Sequence, residues 1–95
     1  MKIDFTWRHG DKSAAMEELL CMKLEKLERH ADDVAHVQVT FECNKQDYTL
    51  KIMAHAYGKD IQAHATHLDV YTAMDEVAHK LIRQVEEYKE RQKTH

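Results

Sequence analysis

The fold is decided by residues 36–66, which read HVQVTFECNKQDYTLKIMAHAYGKDIQAHAT and alternate between apolar and polar side chains. A period of two is typical of β-strands with one buried face. The alternation is interrupted twice, by NKQD at 44–47 and by a glycine in the pair at 58–59, and both interruptions have the composition of turns. The stretch therefore predicts three consecutive strands joined by two short turns.

The predicted register supports this interpretation. The first turn places Phe41 opposite Leu50, and the second places Ala54 opposite Ala63. Both pairings put the apolar side chains on the same face of the middle strand. Because a slip of one residue would move every side chain to the other face, this agreement favours an antiparallel meander.

A shorter strand and two helices flank the meander. Residues 2–7, KIDFTW, alternate in the same way. Apolar residues at spacings of three and four predict an amphipathic helix over 13–31, with Ser13 as its N-cap. A second such stripe predicts a helix over 69–91, capped by Asp69. Since both helices and one sheet face must bury apolar surface, we predict an α+β fold in the order βαβββα, with two helices packed on one face of a four-stranded sheet.

Length and composition exclude several classes of protein. A chain of 95 residues fits one domain. Its net charge is -3, it has no apolar run near the roughly 18 residues of a membrane span, and its first residues lack the apolar segment of a secretory signal. Two cysteines, two glycines and no proline provide neither a disulfide framework nor a glycine-rich phosphate loop. The expected compartment is a reducing cytoplasm.

The charges are distributed unevenly along the chain. Residues 31–79 contain three basic and eight acidic residues, whereas residues 80–95 contain five basic and three acidic ones. On the first helix, at about 100° per residue, the basic and acidic residues fall on opposite flanks of the apolar stripe. The basic flank contains Lys12, Lys23, Lys26, Arg29 and His30, and the acidic flank contains Glu17, Glu18, Glu25, Glu28 and Asp32. Two interpretations stay open: a solvated surface crossed by ion pairs such as Glu76–Lys80, or a basic face that binds a partner.

Candidate catalytic and metal-binding groups do not converge. The chain has eight histidines, of which His55, His64 and His67 lie on neighbouring strands, but the predicted register does not place all three on one face. Cys21 and Cys43 are not spaced as a CxxC pair, and the one serine already caps the first helix. We therefore predict no catalytic residue, no metal site and no cofactor.

Two segments carry a family resemblance. Residues 23–30 read KLEKLERH, and residues 69–84 read DVYTAMDEVAHKLIRQ, with a DxYxAMD pattern at their start. Together with the order of elements along the whole chain, these segments resemble the ribosome hibernation-promoting factors of the short type. That family includes the ribosome-associated inhibitor also called protein Y.

The resemblance implies a fold and a function. It implies one ribosome-binding domain over residues 1–95, similar to double-stranded-RNA-binding domains and without the C-terminal dimerisation domain of the long form. It implies a non-enzymatic protein that binds the small ribosomal subunit in the channel for mRNA and the anticodon ends of tRNA. Translation is then blocked in stationary phase, a stress response, and ribosomes pair into inactive dimers together with ribosome modulation factor. Off the ribosome, a cytoplasmic monomer is expected.

The family's basic surface runs along the two helices. The matching rRNA-binding candidates in this chain are Lys23, Lys26, Arg29, Lys80, Arg83, Lys89, Arg91 and Lys93. Such cations suit sequence-independent binding of RNA, which depends on Lys and Arg near phosphates. Asp75 and Gln84 are further candidates for RNA contacts. Tyr71 is expected to bury its ring, and Trp7 is expected to pack against the core at the end of its strand.

Three alternatives stay open. Within the family, the ribosome-associated inhibitor silences single ribosomes and opposes their dimerisation. A double-stranded-RNA binder without preference for ribosomes would present a similar basic surface. In a different class, a small ferredoxin-like enzyme such as an acylphosphatase needs the order βαββαβ, with a final strand where this sequence predicts a helix.

Overall fold

The computed structural model describes residues 1–30 and 33–93. Its elements are β1 (Lys2–Arg8), α1 (Ala14–His30), β2 (Val34–Cys43), β3 (Tyr48–Ala56), β4 (Lys59–His67) and α2 (Val70–Lys93). The order βαβββα confirms the predicted topology. Ala31, the predicted last residue of the first helix, and Asp32 of its acidic flank lie outside the described residues.

The four strands form one mixed sheet in the order β1-β2-β3-β4. β1 runs parallel to β2, with Phe5 opposite Val39, while β2, β3 and β4 form the antiparallel meander. In the first hairpin Phe41 pairs with Leu50, as predicted. A parallel pair needs a crossover connection, and α1 provides it.

The second hairpin differs from the prediction by two residues. Ala54 pairs with Ile61 rather than with Ala63. The two-residue turn is therefore formed by Tyr57 and Gly58, whose φ angles are 53° and 71°. Positive φ at both central residues is the requirement of a type I′ turn, whose twist matches that of the flanking strands. Because the shift is an even number of residues, each side chain stays on its predicted face.

Both helices begin at their predicted N-caps. The Ser13 hydroxyl accepts a hydrogen bond of 3.2 Å from the backbone N–H of Met16. The Asp69 carboxylate accepts one of 3.0 Å from the backbone N–H of Tyr71 and one of 3.2 Å from the Thr72 hydroxyl. The bonds from Met16 and Tyr71 satisfy backbone N–H groups that have no partner within the helix.

One hydrophobic core lies between the helices and the inner face of the sheet. Its fully buried large side chains include Leu20, Leu24, Leu27, Val37, Val39, Phe41, Leu50, Ile52, Ile61, Met74, Val77 and Leu81. Neighbouring strands and both helices contribute to this one cluster, so the helices are held side by side. No helix among the described residues combines the length and the apolar composition of a membrane span.

Trp7 closes the core at the end of β1. Its indole ring stacks on Phe41, with the ring centroids 4.1 Å apart and an interplanar angle of 3°. Its Nε1–H donates a hydrogen bond of 2.8 Å to the carboxylate of Glu17. The predicted packing of Trp7 is thus confirmed, and Glu17 of the acidic flank is directed to the sheet and away from the surface charges.

Candidate nucleic-acid interface

The predicted cations lie on two helices that pack side by side. α1 carries Lys23, Lys26 and Arg29, and α2 carries Lys80, Arg83, Lys89 and Arg91. All of these side chains are exposed or half-buried. α2 also reaches Lys93, whose side chain, like that of His30, is outside the part of the structure that is described. The arrangement forms a helical surface on the side of the molecule opposite the polar face of the sheet.

A groove between the helices brings two of the cations together. This interhelical groove has a volume of about 250 Å³ and is lined by Lys26, His79, Ile82, Arg83 and Glu86. Lys26 comes from α1 and the other four from α2. The groove is therefore a feature of the tertiary structure, formed by residues that are far apart in the sequence.

Carboxylates of α2 pair with the lysines of α1. Lys26 Nζ lies 3.6 Å from Glu86 Oε1, and Lys23 forms an ion pair with Asp75. The side chains of Glu86 and Asp75 are 49% and 67% exposed. Exposed pairs of this kind contribute about 0–1 kcal/mol, so a competing anion can replace the carboxylate. The surface is a mosaic of cations and carboxylates, and the predicted segregation of the α1 charges does not produce an uninterrupted basic face.

Lys80 lies on a different side of α2, next to the edge strand β4. Its Nζ is 3.1 Å from Glu76 Oε2 and donates a hydrogen bond of 3.0 Å to the backbone carbonyl of His64. One turn later, the Gln84 amide donates one of 2.8 Å to the carbonyl of Gln62. These bonds use carbonyl groups of an edge strand that would otherwise be available to another chain. Lys80 and Gln84 thus have a structural role in this arrangement.

Arg83 and Arg91 each make a contact within α2. Arg83 Nε lies 3.7 Å from Glu87 Oε1, one turn further along the helix. The Arg91 guanidinium lies 5.2 Å from the centre of the Tyr88 ring, within the range of a cation–π contact. Arg83 makes its contact within α2 and also lines the interhelical groove.

Tyr71 is not buried, contrary to the sequence-based prediction. Its side chain lies at the start of α2 and is 54% exposed. Only its backbone N–H takes part in the N-cap. The prediction was wrong because the DxYxAMD pattern identifies the cap and the buried Met74, whereas the exposure of Tyr71 depends on where α1 lies.

Three of the described histidines contact carboxylates. The pairs are His36 with Asp4 at 2.6 Å, His55 with Asp60 at 3.0 Å and His67 with Glu76 at 3.0 Å. The predicted register missed the second pair because it did not place Asp60 opposite His55, as the observed register does. Among residues 1–30 and 33–93, no group of three histidine, cysteine or acidic side chains is placed to hold a metal ion.

The two cysteines are not arranged as nucleophiles. Both are free thiols and half-buried. Burial raises the pKa of the Cys21 thiol, and the negative charges of Glu17 and Glu18 raise it further. A raised pKa reduces the fraction of reactive thiolate near neutral pH, so the environment of Cys21 opposes covalent catalysis.

Comparison with known sequences relates the whole described chain to one family. The family model described as "Sigma 54 modulation protein / S30EA ribosomal protein" matches residues 3–93. A ribosome hibernation promoting factor from Azotobacter vinelandii is 33% identical over 92 residues, which cover 97% of this chain and 86% of that protein. The protein of the same name from Escherichia coli K12 is 30% identical over 95 residues and is covered completely, as is this chain.

Solved structures have the same architecture. A ribosomal subunit interface protein from Coxiella burnetii is 30% identical, with a TM-score of 0.85, and the match covers 94% of this chain and 98% of that one. The N-terminal domain of Thermus thermophilus Protein Y matches with a TM-score of 0.86, and the match covers 93% of this chain and 99% of that domain. At 21% identity, the latter comparison concerns the fold alone.

Proposed function

Since this chain belongs to the family described as Sigma 54 modulation protein / S30EA ribosomal protein, we propose that it is a ribosome hibernation factor: a cytoplasmic, non-enzymatic protein that associates with the ribosome and regulates translation. The observation that carries the proposal is the match over residues 3–93, which includes the sheet and both cation-bearing helices. The Escherichia coli relative is matched over its full length, so no region of that relative lacks a counterpart here.

The finer proposal concerns the site of binding. The domain binds rRNA of the small ribosomal subunit in the channel that mRNA and the anticodon ends of tRNA use, and it blocks translation by occupying that space. It then promotes inactive ribosome dimers together with ribosome modulation factor in stationary phase. Off the ribosome the protein is a monomer. Steric exclusion needs no catalytic group, which agrees with a surface built from lysine, arginine and carboxylates.

Electrostatic exchange is the proposed mechanism of docking. Lys23 and Lys26 are held by the carboxylates of Asp75 and Glu86 in the free protein. When RNA arrives, its phosphates replace these carboxylates as partners of the cations. The exchange is favourable because each phosphate that is neutralised releases condensed counterions from the RNA, whereas the ion pairs that are lost were exposed and weak.

In this proposal the local cations, rather than the overall charge, orient the protein. The whole chain has a net charge of -3, which disfavours random contact with RNA. The predicted candidates on α1 and α2, apart from Lys80 beside β4, face the rRNA, and the polar face of the sheet faces away from it. Net charge and local charge have different effects here: the first disfavours random contact, and the second selects the helical surface.

Co-sedimentation with ribosomes, with single ribosomes and ribosome pairs resolved on the same gradient, tests the proposal. We expect the protein in the ribosome fractions, and we expect log affinity to fall with log salt with a slope of about -4 to -7 if about five to eight phosphates are contacted. A slope near zero would remove the electrostatic mechanism. Absence from all ribosome fractions at low salt would refute the proposed function.

The same gradient separates the alternatives. An increase in ribosome pairs identifies a promoting factor, whereas protein bound to single ribosomes with fewer pairs identifies the ribosome-associated inhibitor. A plain RNA duplex that competes as well as ribosomes do identifies a general double-stranded-RNA binder. The acylphosphatase-type order βαββαβ differs from the observed βαβββα, in which the last element is α2.

A further inference from the structure

A second cavity, distinct from the interhelical groove, lies between the first half of α1 and the first turn of α2. It has a volume of about 350 Å³, and its lining consists of the apolar residues Ala15, Met16, Leu19, Met22 and Tyr71 together with Ser13 and Glu18. Met22 is 59% and Tyr71 54% exposed. Large apolar side chains that are exposed together mark binding surfaces more often than isolated ones do. We name this feature the Tyr71 cavity.

The fold does not account for the exposed position of the Tyr71 ring. Within the described residues, the backbone N–H of Tyr71 serves the N-cap, and no hydrogen bond of its phenol is found. The ring is also not part of the hydrophobic core. A smaller or polar residue at this position would therefore support the helix equally well. The ring of Tyr71 is available to a ligand.

The charges around the cavity select its occupant. Glu18 in the lining is exposed and, among the described residues, makes no ion pair. Its negative charge disfavours a phosphate inside the cavity. Lys23 and Lys26 lie further along the same helix, one and two turns from the cavity residue Leu19. The cavity and its surroundings thus fit a ligand with two parts. A flat, uncharged part would lie in the cavity, and an attached anionic group would lie toward these lysines.

We propose that the Tyr71 cavity receives an unpaired nucleobase of the bound RNA. The base stacks on the ring of Tyr71, against Met22 and Leu19, and its phosphate lies toward Lys23. The Glu18 carboxylate accepts a hydrogen bond from an exocyclic amino group, which favours adenine, cytosine or guanine over uracil. Aromatic stacking of splayed bases is a general mode of RNA recognition. This site rests on the proposed function, since it assigns a recognition residue to the same helical surface.

The test measures ribosome affinity across a series of salt concentrations for the unaltered chain and for Tyr71→Ala, Tyr71→Phe and Tyr71→Leu. We expect Tyr71→Ala to bind about tenfold more weakly with an unchanged salt slope, because stacking involves no phosphate. Tyr71→Phe should bind like the unaltered chain, since it keeps the aromatic face. Leu68→Ala is the matched control: Leu68 is 80% exposed and lies outside the cavity, so its loss should not affect affinity.

Three other results of this binding series would overturn the base site. Equal affinity of Tyr71→Ala and the unaltered chain would overturn the base site and leave the proposed function intact. Full binding by Tyr71→Leu, with weak binding by Tyr71→Ala, would overturn stacking in favour of an apolar protein segment in the cavity. No binding by the unaltered chain would refute the proposed function and the base site together. Thermal melting of each variant, followed by circular dichroism, verifies that the exposed substitution leaves the domain folded.

Discussion

The outer surface of the helix pair and the outer face of the sheet are both polar, yet they hold their charges differently. On the helices, long lysine side chains pair across the interface between α1 and α2, as Lys26 does with Glu86. On the sheet, pairs form between neighbouring strands, and they include a histidine pair, His55 with Asp60, as well as one lysine pair, Lys51 with Glu42. A lysine can move its ammonium group by several ångströms to a new partner, whereas a cross-strand histidine is restricted by the sheet. We therefore expect binding to depend on side chains that can exchange partners, of which the helical surface has two in Lys23 and Lys26.

The largest effect is expected when the charge of the helical surface is reversed. Lys26→Glu with Arg83→Glu places two negative charges in the interhelical groove. Because each lost contact to phosphate is a charge-assisted hydrogen bond, we expect ribosome affinity to fall roughly 100-fold in co-sedimentation. The matched control is Lys51→Glu with Lys59→Glu, which changes the net charge equally on the sheet. If both double variants bind equally weakly, net charge and not the helical surface determines binding.

A smaller effect, in the opposite direction, is expected when a competing carboxylate is removed. Glu86→Gln releases Lys26 from its ion pair, so we expect ribosome affinity to rise about two- to fivefold. Glu42→Gln removes the carboxylate that lies 3.2 Å from Lys51 on the sheet and makes the same change in net charge. An equal increase for both variants in a binding titration would contradict partner exchange and indicate a general charge effect.

The smallest effect concerns the contact where β4 meets α2. Hydrogen bonds from His67 and then from Lys80 lower the pKa of the Glu76 carboxyl. The stabilisation is therefore present above about pH 4.5, the ordinary pKa of the group, and is lost as the pH falls through the lowered pKa of the folded state. We expect Glu76→Gln to melt at most a few degrees below the unaltered chain at pH 7. This difference in melting temperature should become smaller below pH 4.5.

The control for this pH dependence is Glu25→Gln on α1. Glu25 is exposed and makes no ion pair among the described residues. Its substitution should leave the melting temperature nearly unchanged from pH 7 to pH 3. If the melting temperature of Glu76→Gln differs from that of the unaltered chain by the same amount from pH 7 to pH 3, the effect arises from packing and not from the ionised carboxylate.

Much of the fold follows from short-range patterns. The alternation along β2 and β3 predicts the pairing of Phe41 with Leu50, and the caps Ser13 and Asp69 predict where the helices begin. These features depend on residues that are close in the sequence, so their physical causes can be seen there. The two-residue shift at Tyr57 could not be seen in this way, because hydrophobic alternation is insensitive to shifts of two.

Less of the candidate site than of the fold could be predicted from the sequence. Lys26 and Arg83 were predicted as separate candidates, and their shared groove appears only when the helices pack. The ion pair between Lys23 and Asp75 has the same origin. The position of Tyr71 next to Met22 and Leu19 also depends on that packing. The sequence alone therefore could not predict that the ring is exposed.

The amino-acid sequence by itself determined the elements, their order and the faces that they bury, because periodicity and capping act over a few residues. The tertiary structure alone decided which charges meet and which apolar side chains stay exposed. These outcomes depend on the relative placement of α1 and α2, which is set by the packing of the whole core and not by any local segment.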